Sequence, residues 1–329
     1  MNNYQFAYGD GTVTLPLDGC DILGELHGNK VEPIKDIRTA LWGSLDEPIG
    51  SEALCKRVKA GNTVALIVSD MSRFWMRQDL VVPHLVDYLT QRCGVQEADI
   101  SIVIANGTHE GGDEQELRTL VTDAVYDHVK VKNHDCEAKD LVYLGTTPHG
   151  TPVSIDRTAA EADLVVCLGA VTHHVMAGFG GGRKAVMPGV AAYDSIMKNH
   201  CMTMSPVEGA GCNKACDASL LEGNPIHQDM YESCKLLNPD FLVNTVFTPD
   251  GEISEVVAGH WYEAWQKGCK DLLAMAGVHI KQLADVVIAS AGGYPKDLNL
   301  YQATKCHMNA QFAVKHGGIM IFTLDCPDI

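Results

Sequence analysis

Between His174 and His200 the chain reads His-Val-Met-Ala-Gly-Phe-Gly-Gly-Gly-Arg-Lys-Ala-Val-Met-Pro-Gly and closes on Lys198-Asn199-His200. Two imidazoles and an amine thus surround a glycine-dense turn, a set able to exchange protons, ligate a metal ion or carry an acyl-type link. Gly180, Gly181 and Gly182 let the backbone approach a ligand closely, and their N–H groups are expected to be free to hold an anion beside Lys184. The spacing is not a Walker A motif, because Ala185 follows the lysine where Ser or Thr is needed. Nor is it the Gly-x-Gly-x-x-Gly register of a dinucleotide site. A mononucleotide phosphate fits better, and a plain strand-to-helix turn remains the alternative.

The elements that must carry these groups are legible as short apolar runs. Asp163-Leu-Val-Val-Cys-Leu-Gly169 reads as a buried strand ending in glycine just before the histidines. Further strands are predicted over 63–68, 100–105, 241–247, 285–290 and 318–323, with helices over 80–91, 113–125 and 300–315. Strand and helix alternate, which predicts an α/β fold of two domains with mainly parallel sheets and an active site in the interdomain cleft. The change of unit is placed in an aromatic-rich helix around 260–276. That gives a cofactor-binding catalytic domain over 1–265 and the first part of a C-terminal α/β domain over 266–329. Two strands and one helix are too little to close an α/β layer, so truncation or completion by another subunit is expected.

Other wording recurs at strand ends. Pro48-Ile-Gly-Ser51, Asp70-Met-Ser-Arg73, Ala105-Asn-Gly-Thr-His109, Asn133-His-Asp135, Gly223-Asn-Pro225, Gly292-Gly-Tyr-Pro-Lys-Asp297 and Leu300-Tyr-Gln-Ala-Thr-Lys305 follow in that order. Together with the run from His174 to Lys184 and with Asn199-His200, they make a set that resembles the nickel-pincer lactate racemase family over about residues 40 to 325.

The resemblance implies a cofactor, a metal and a reaction. The cofactor is a sulfur-bearing, pyridinium-dithiocarboxylic-acid-type mononucleotide covalently bound to Lys184, and nickel sits in its pincer. His200 is implied as the protein's nickel ligand, and imidazole suits that ion. His109 and His174, from different strand-end loops, are implied as the acid/base pair, one for each hand of a 2-hydroxy acid whose C2 hydride is removed and returned. Arg73, Tyr301, Gln302 and Lys305 are implied as substrate-binding donors, Arg73 because its planar fork suits a carboxylate. Asp70 is expected to hold the cofactor's ribose or to orient Arg73. His173 is expected to pack or to hydrogen-bond elsewhere, since adjacent residues point apart. Implied partners are a small 2-hydroxy carboxylate and the proteins that build the cofactor, and a homo-oligomer is left open.

The chain departs from the family's wording in two places. Phe74 stands where the family continues with proline, which frees φ in the loop and puts Phe74 and Trp75 where they could line the pocket and move preference away from plain lactate. Glu110 replaces the usual basic residue after His109, placing a negative charge beside that base.

Composition sets the remaining bounds. With 329 residues there is length for two domains, and a formal charge of −17 disfavours nucleic acid. No apolar run is long enough to span a membrane, no secretion signal opens the chain, and twelve scattered cysteines suit reduced thiols, so a cytoplasmic setting is expected. Cys212-x-x-x-Cys216 lacks a second pair and reads as a loop with free thiols, not as a zinc clip. Two other functions stay open: a non-catalytic nucleotide-binding homologue, and a metal hydrolase using His109, His174 and His200 as ligands.

Overall fold

The computed structural model describes residues 3–294 and 296–327, leaving out the side chain of Tyr301. Two compact units divide it, one of residues 29–276 and one joining 1–28 to 277–329.

The larger unit is built on a six-stranded sheet. In spatial order its strands are Ile253–Gly259, Phe241–Phe247, Leu164–Ala170, Val64–Ser69, Ile100–Ala105 and Lys130–Asn133. All neighbours run parallel except Ile253–Gly259, which returns antiparallel along Phe241–Phe247. The apolar runs that predicted strands follow from this arrangement, because both faces of the sheet are buried. Val64, Leu66 and Val68 join Ile100, Ile102, Leu164 and Val243 in one core, closed by Leu41, Leu45, Leu85 and Leu120 from helices. Ile67, Val103, Val165, Cys167 and Leu242 alternate to the opposite face, under Ala159, Cys234, Trp265 and Leu272.

Strand order also fixes where ligands can sit. Val64–Ser69 is first in the chain among the six and lies mid-sheet, with the next two strands on one side and Leu164–Ala170 on the other. The chain therefore leaves Val64–Ser69 and Leu164–Ala170 toward opposite faces, which opens a crevice beyond their carboxyl ends. Asp70 to Arg73 follow the first of these strands, and His174 to Lys184 follow the second.

Several helix starts are capped by side chains. Asp36 accepts from the Thr39 amide ahead of Ile37–Asp46, Asp113 and Glu116 form a reciprocal box ahead of Glu114–Val121, and Asn224 caps Pro225–Leu237. The helix expected over 80–91 is shorter, running Val82–Asp87 before a wider turn over Tyr88–Arg92. That expected over 113–125 breaks after Val121, where Thr122 takes a positive φ of 76°.

The smaller unit holds the hairpin Asn3–Tyr8 and Gly11–Pro16, the parallel pair Ala284–Ser290 and Val314–Thr323, and the helix Leu300–Ala310. Here the division differs from a boundary at 265/266. Glu263–Ala276 is one unbroken helix whose Trp265, Cys269 and Leu272 are buried in the larger unit. The amino-terminal hairpin belongs with the C-terminal strands, because Ser290 Oγ donates to Ala7 O at 2.6 Å and the Gly9 amide to Asp297 Oδ2 at 2.8 Å. The helix expected to reach 315 ends at Ala310, and residues 314–317 belong to the strand instead. No helix among the described residues is long and apolar enough to cross a membrane.

Candidate active site

Three loops at the carboxyl edge of the sheet bring most of the implied residues together. From the turn after Val64–Ser69, the buried Asp70 carboxylate pairs with Nδ1 of His109, which follows Ile100–Ala105. A carboxylate can only accept, so Nδ1 carries the ring proton and Nε2 keeps its lone pair. Ser72 Oγ donates to the other Asp70 oxygen at 2.7 Å and accepts from Arg73 Nη1 at 2.9 Å. Asp70, expected at a ribose or beside Arg73, thus orients His109 directly and Arg73 through Ser72. Beside His109 opens a cavity of about 320 Å³, lined by Ser72, Asn106, Glu110 and Asn133 among others.

The second group hangs from Leu164–Ala170. His173–His174 and Gly178–Phe179 form a minimal hairpin, after which Gly182–Ala185 makes one tight turn. Alternation sends the two imidazoles apart: His173 Nδ1 lies 2.8 Å from Ser219 Oγ, whereas His174 Nε2 lies 3.2 Å from Lys184 Nζ. His174 Nδ1 accepts from the Met176 and Ala177 amides at 3.3 and 3.1 Å, so the neutral ring carries its proton on Nε2. That Nε2–H needs a lone pair opposite it, which an unprotonated lysine supplies. Charge balance agrees. Burial, then Arg183 and Arg73, pull the Lys184 amine down to about 7, and burial, then the Lys184 charge, pull His174 to about 2.

The glycines serve packing more than anion binding. The Gly180 amide donates to Thr172 O at 2.7 Å and the Gly182 amide to Asn244 Oδ1 at 2.9 Å, so two of the three expected free N–H groups are already used. A Cβ on Gly181 would stand 2.6 Å from Ala170 O, and one on Gly182 would stand 2.5 Å from the Trp265 ring, both at positive φ. Glycine is required there by close approach of neighbouring chain.

His200 ends the helix Tyr193–His200. Its Nδ1 donates to Ile196 O at 3.0 Å, which fixes the tautomer and leaves the Nε2 lone pair for a metal. Burial, then the Lys184 charge, lower its pKa. The neighbouring Asn199 is fully buried and donates to Asp229 Oδ2 at 2.8 Å, while Asp229 also accepts from Thr147 and Thr151. This network seats the last turn of the helix.

Gln302 and Lys305 lie in the smaller unit, where Lys305 Nζ donates to Gln302 Oε1 at 2.6 Å on the helix Leu300–Ala310. The Tyr301 side chain lies outside the described residues. Phe74 packs half-buried against the core, whereas Trp75 is exposed and meets Phe247 edge to face at 5.9 Å. Of the two aromatics Trp75 is the more exposed.

Sequence reasoning missed Ser72, Asn244 and Trp265. Asn244 left a signal, a fully buried amide interrupting the apolar strand Phe241–Phe247. The open metal-hydrolase alternative finds little support: His174 has both ring nitrogens engaged, Nδ1 by the Met176 and Ala177 amides and Nε2 by Lys184. Among the described residues, no three His, Cys, Asp or Glu side chains come together as a metal site.

Comparison with known proteins adds independent findings. The lactate racemase N-terminal domain family matches residues 8–211, and the lactate racemase C-terminal domain family matches 279–329. The lactate racemase of Thermoanaerobacterium thermosaccharolyticum is 34% identical over 333 residues, covering 100% of this chain and 75% of that protein. That of Lactiplantibacillus plantarum is 30% identical, covering 98% and 74%. The solved lactate racemase apoprotein from T. thermosaccharolyticum superposes with a TM-score of 0.86 at 30% identity, over 99% of this chain and 75% of that one. A Thermotoga maritima protein of known structure shares the fold at a TM-score of 0.56 and 19% identity, over 80% of this chain and 64% of its own.

Proposed function

The chain belongs to the lactate racemase family, and on that premise we propose that it interconverts the enantiomers of a small, lactate-like 2-hydroxy acid by reversible hydride removal at C2, with His109 and His174 as acid and base. The observation that carries this reading is the meeting of Lys184 and His174, whose Nζ and Nε2 lie 3.2 Å apart. Family membership makes the protein an isomerase.

The residues present fit the nickel-pincer nucleotide that the family implies. Lys184 offers a half-buried amine whose pKa is drawn down to about 7, so that a large share is unprotonated near neutrality, suited to an amide-type link. His200 offers one imidazole nitrogen with its tautomer already set. When bound, that group supplies the acceptor for the C2 hydride.

The chain's own residues do the rest. Arg73 offers its fork to the substrate carboxylate, and Ser72 and Asp70 steady that fork. His109 takes the C2 hydroxyl proton at Nε2, while Asp70 stabilises the imidazolium that results. For the other hand the acid/base is His174, whose Nε2 carries the ring proton in the unlinked chain and must give it up before it can accept from substrate. In the unlinked chain its Nε2 is committed to Lys184, and linkage of that amine removes one of the charges that hold His174 neutral. Acid/base capacity at His174 is thereby tied to cofactor attachment. Gln302, Lys305 and Tyr301 are proposed as further substrate donors. The proteins that build the cofactor are proposed as the chain's partners, in a cytoplasmic setting.

Intact-mass analysis of the protein purified from its native host tests the reading. An adduct of a sulfur-bearing mononucleotide on Lys184 is expected. Active protein with unmodified Lys184 would overturn it.

A further inference from the structure

Arg183, beside Lys184, has no place in the reaction described above. Its guanidinium is fully buried, and all its bonds go to neutral acceptors: Nε to His227 Nδ1 at 3.0 Å, Nη1 to Phe179 O at 3.0 Å and Nη2 to Ala177 O at 2.7 Å. It lies 4.1 Å from the Trp265 ring centroid, and Trp265 Nε1 donates to Gly180 O at 2.8 Å. His227 stacks on the same indole at 5.6 Å. A desolvated cation is costly unless it is well bonded, so a buried guanidinium satisfied only by neutral groups is an unusual arrangement.

Its bonds also join two pieces of the site. Ala177 O and Phe179 O belong to the hairpin that carries His174, while Arg183 itself sits in the turn that carries Lys184. The charged or titratable groups acting on the amine are Arg183 from its own turn, Arg73 from the turn Met71–Met76, His174 from the hairpin and His200 from the helix Tyr193–His200. None of these is acidic.

We propose that Arg183 is a positioning residue for cofactor attachment: it fastens the Lys184 turn to the His174 hairpin and, as a fixed buried cation, keeps a second positive charge off the lysine amine. The amine is then held as a nucleophile facing His174, ready for acyl-type transfer. The inference rests on Lys184 being the attachment point. Burial lowers the Arg183 pKa only to about 10, so the guanidinium stays charged at neutral pH, and its charge adds to burial in drawing Lys184 down to about 7.

The test is competitive acetylation of the unloaded chain with trace acetic anhydride across a pH series, read at Lys184 by peptide mass spectrometry. The wild-type labelling midpoint is expected near 7. Arg183→Gln removes the charge and should raise the midpoint by about one unit, lowering the labelling rate at pH 7 about fivefold. His227→Glu keeps the guanidinium but gives it a counter-charge, and should raise the midpoint in the same direction; it decides the matter if Arg183→Gln does not fold. Trp265→Phe removes the bond to Gly180 while keeping both charges, so it should lower the melting temperature and leave the midpoint in place. An unmoved midpoint in the charge variants, or an equal shift in Trp265→Phe, overturns the proposal. Should the native protein carry no adduct on Lys184, the reading of Lys184 as attachment point falls while the midpoint result stands or falls separately.

Discussion

Asp70 and His109 lie on neighbouring strand ends, and the buried carboxylate accepts the Nδ1 proton of an imidazole whose opposite nitrogen is free. That pairing decides which nitrogen does chemistry. Asp70→Asn keeps the shape but no longer demands Nδ1–H, so the ring can turn over to the tautomer that lacks an Nε2 lone pair. The loaded variant is expected to lose about tenfold to a thousandfold in kcat with a small change in KM. Chiral chromatography of the product mixture measures it, and an unchanged kcat would remove Asp70 from the mechanism.

The proposed mechanism gives each of the two bases its own hand. His109→Ala and His174→Ala should each lose about 10²–10⁴-fold in racemisation in both directions, because a full cycle uses both imidazoles. In single-turnover mixing with one pure enantiomer, each loaded variant should still react with one hand, and the two should prefer opposite hands. Equal reaction with both hands in either variant points to a single base.

The buried imidazoles set an acid limit on stability. His227 is pulled to about 3 by burial and by Arg183, and His174 to about 2, both below their ordinary value of 6.5. Between those values the unfolded chain holds protons that the folded chain refuses, so stability falls as pH falls through that window. His227→Gln keeps an acceptor for Arg183 Nε and removes one such proton. Its melting temperature should decline less steeply than that of the wild type between pH 6.5 and about 4. A parallel decline would show that His227 is not a source of the effect.

How much of this was written in the sequence depends on range. Strands such as Ile100–Ala105 and Phe241–Phe247 were legible to the residue, because burial on both faces writes a continuous apolar run. The edge strands Lys130–Asn133 and Val142–Thr146 are shorter and half exposed, and left no such run. The Tyr8-Gly-Asp-Gly11 turn did carry a hairpin signal, yet nothing local says that Asn3–Pro16 packs with residues near 290 and 323. The site divides in the same way. His109, His174, Lys184 and His200 stand in local motifs, whereas the Asp70 bond to His109 spans 39 positions and the Gly182 bond to Asn244 spans 62. The glycine triplet suggests an anion cradle by its type, but Thr172 and Asn244 take two of its amides and Ala170 and Trp265 pack against it.

Gly182→Ala tests that packing. The new Cβ would meet Trp265 at 2.5 Å with φ at +54°, and two penalties together should cost about 2 kcal/mol or more. Gly209→Ala is the control, since its φ is +77° but nothing lies within 4 Å. Thermal denaturation should show the first clearly less stable than the second. Equal loss in both would mean that backbone conformation alone, without the indole contact, accounts for the glycine.

The central claim, inversion by hydride removal and return, is tested most directly with one pure enantiomer of lactate carrying deuterium at C2, incubated with loaded protein in ordinary water. Chiral separation with mass analysis should find both enantiomers, each still deuterated at C2, because the hydride returns to the carbon it left. Absence of inversion, or inversion with deuterium washed out to solvent, would contradict the account.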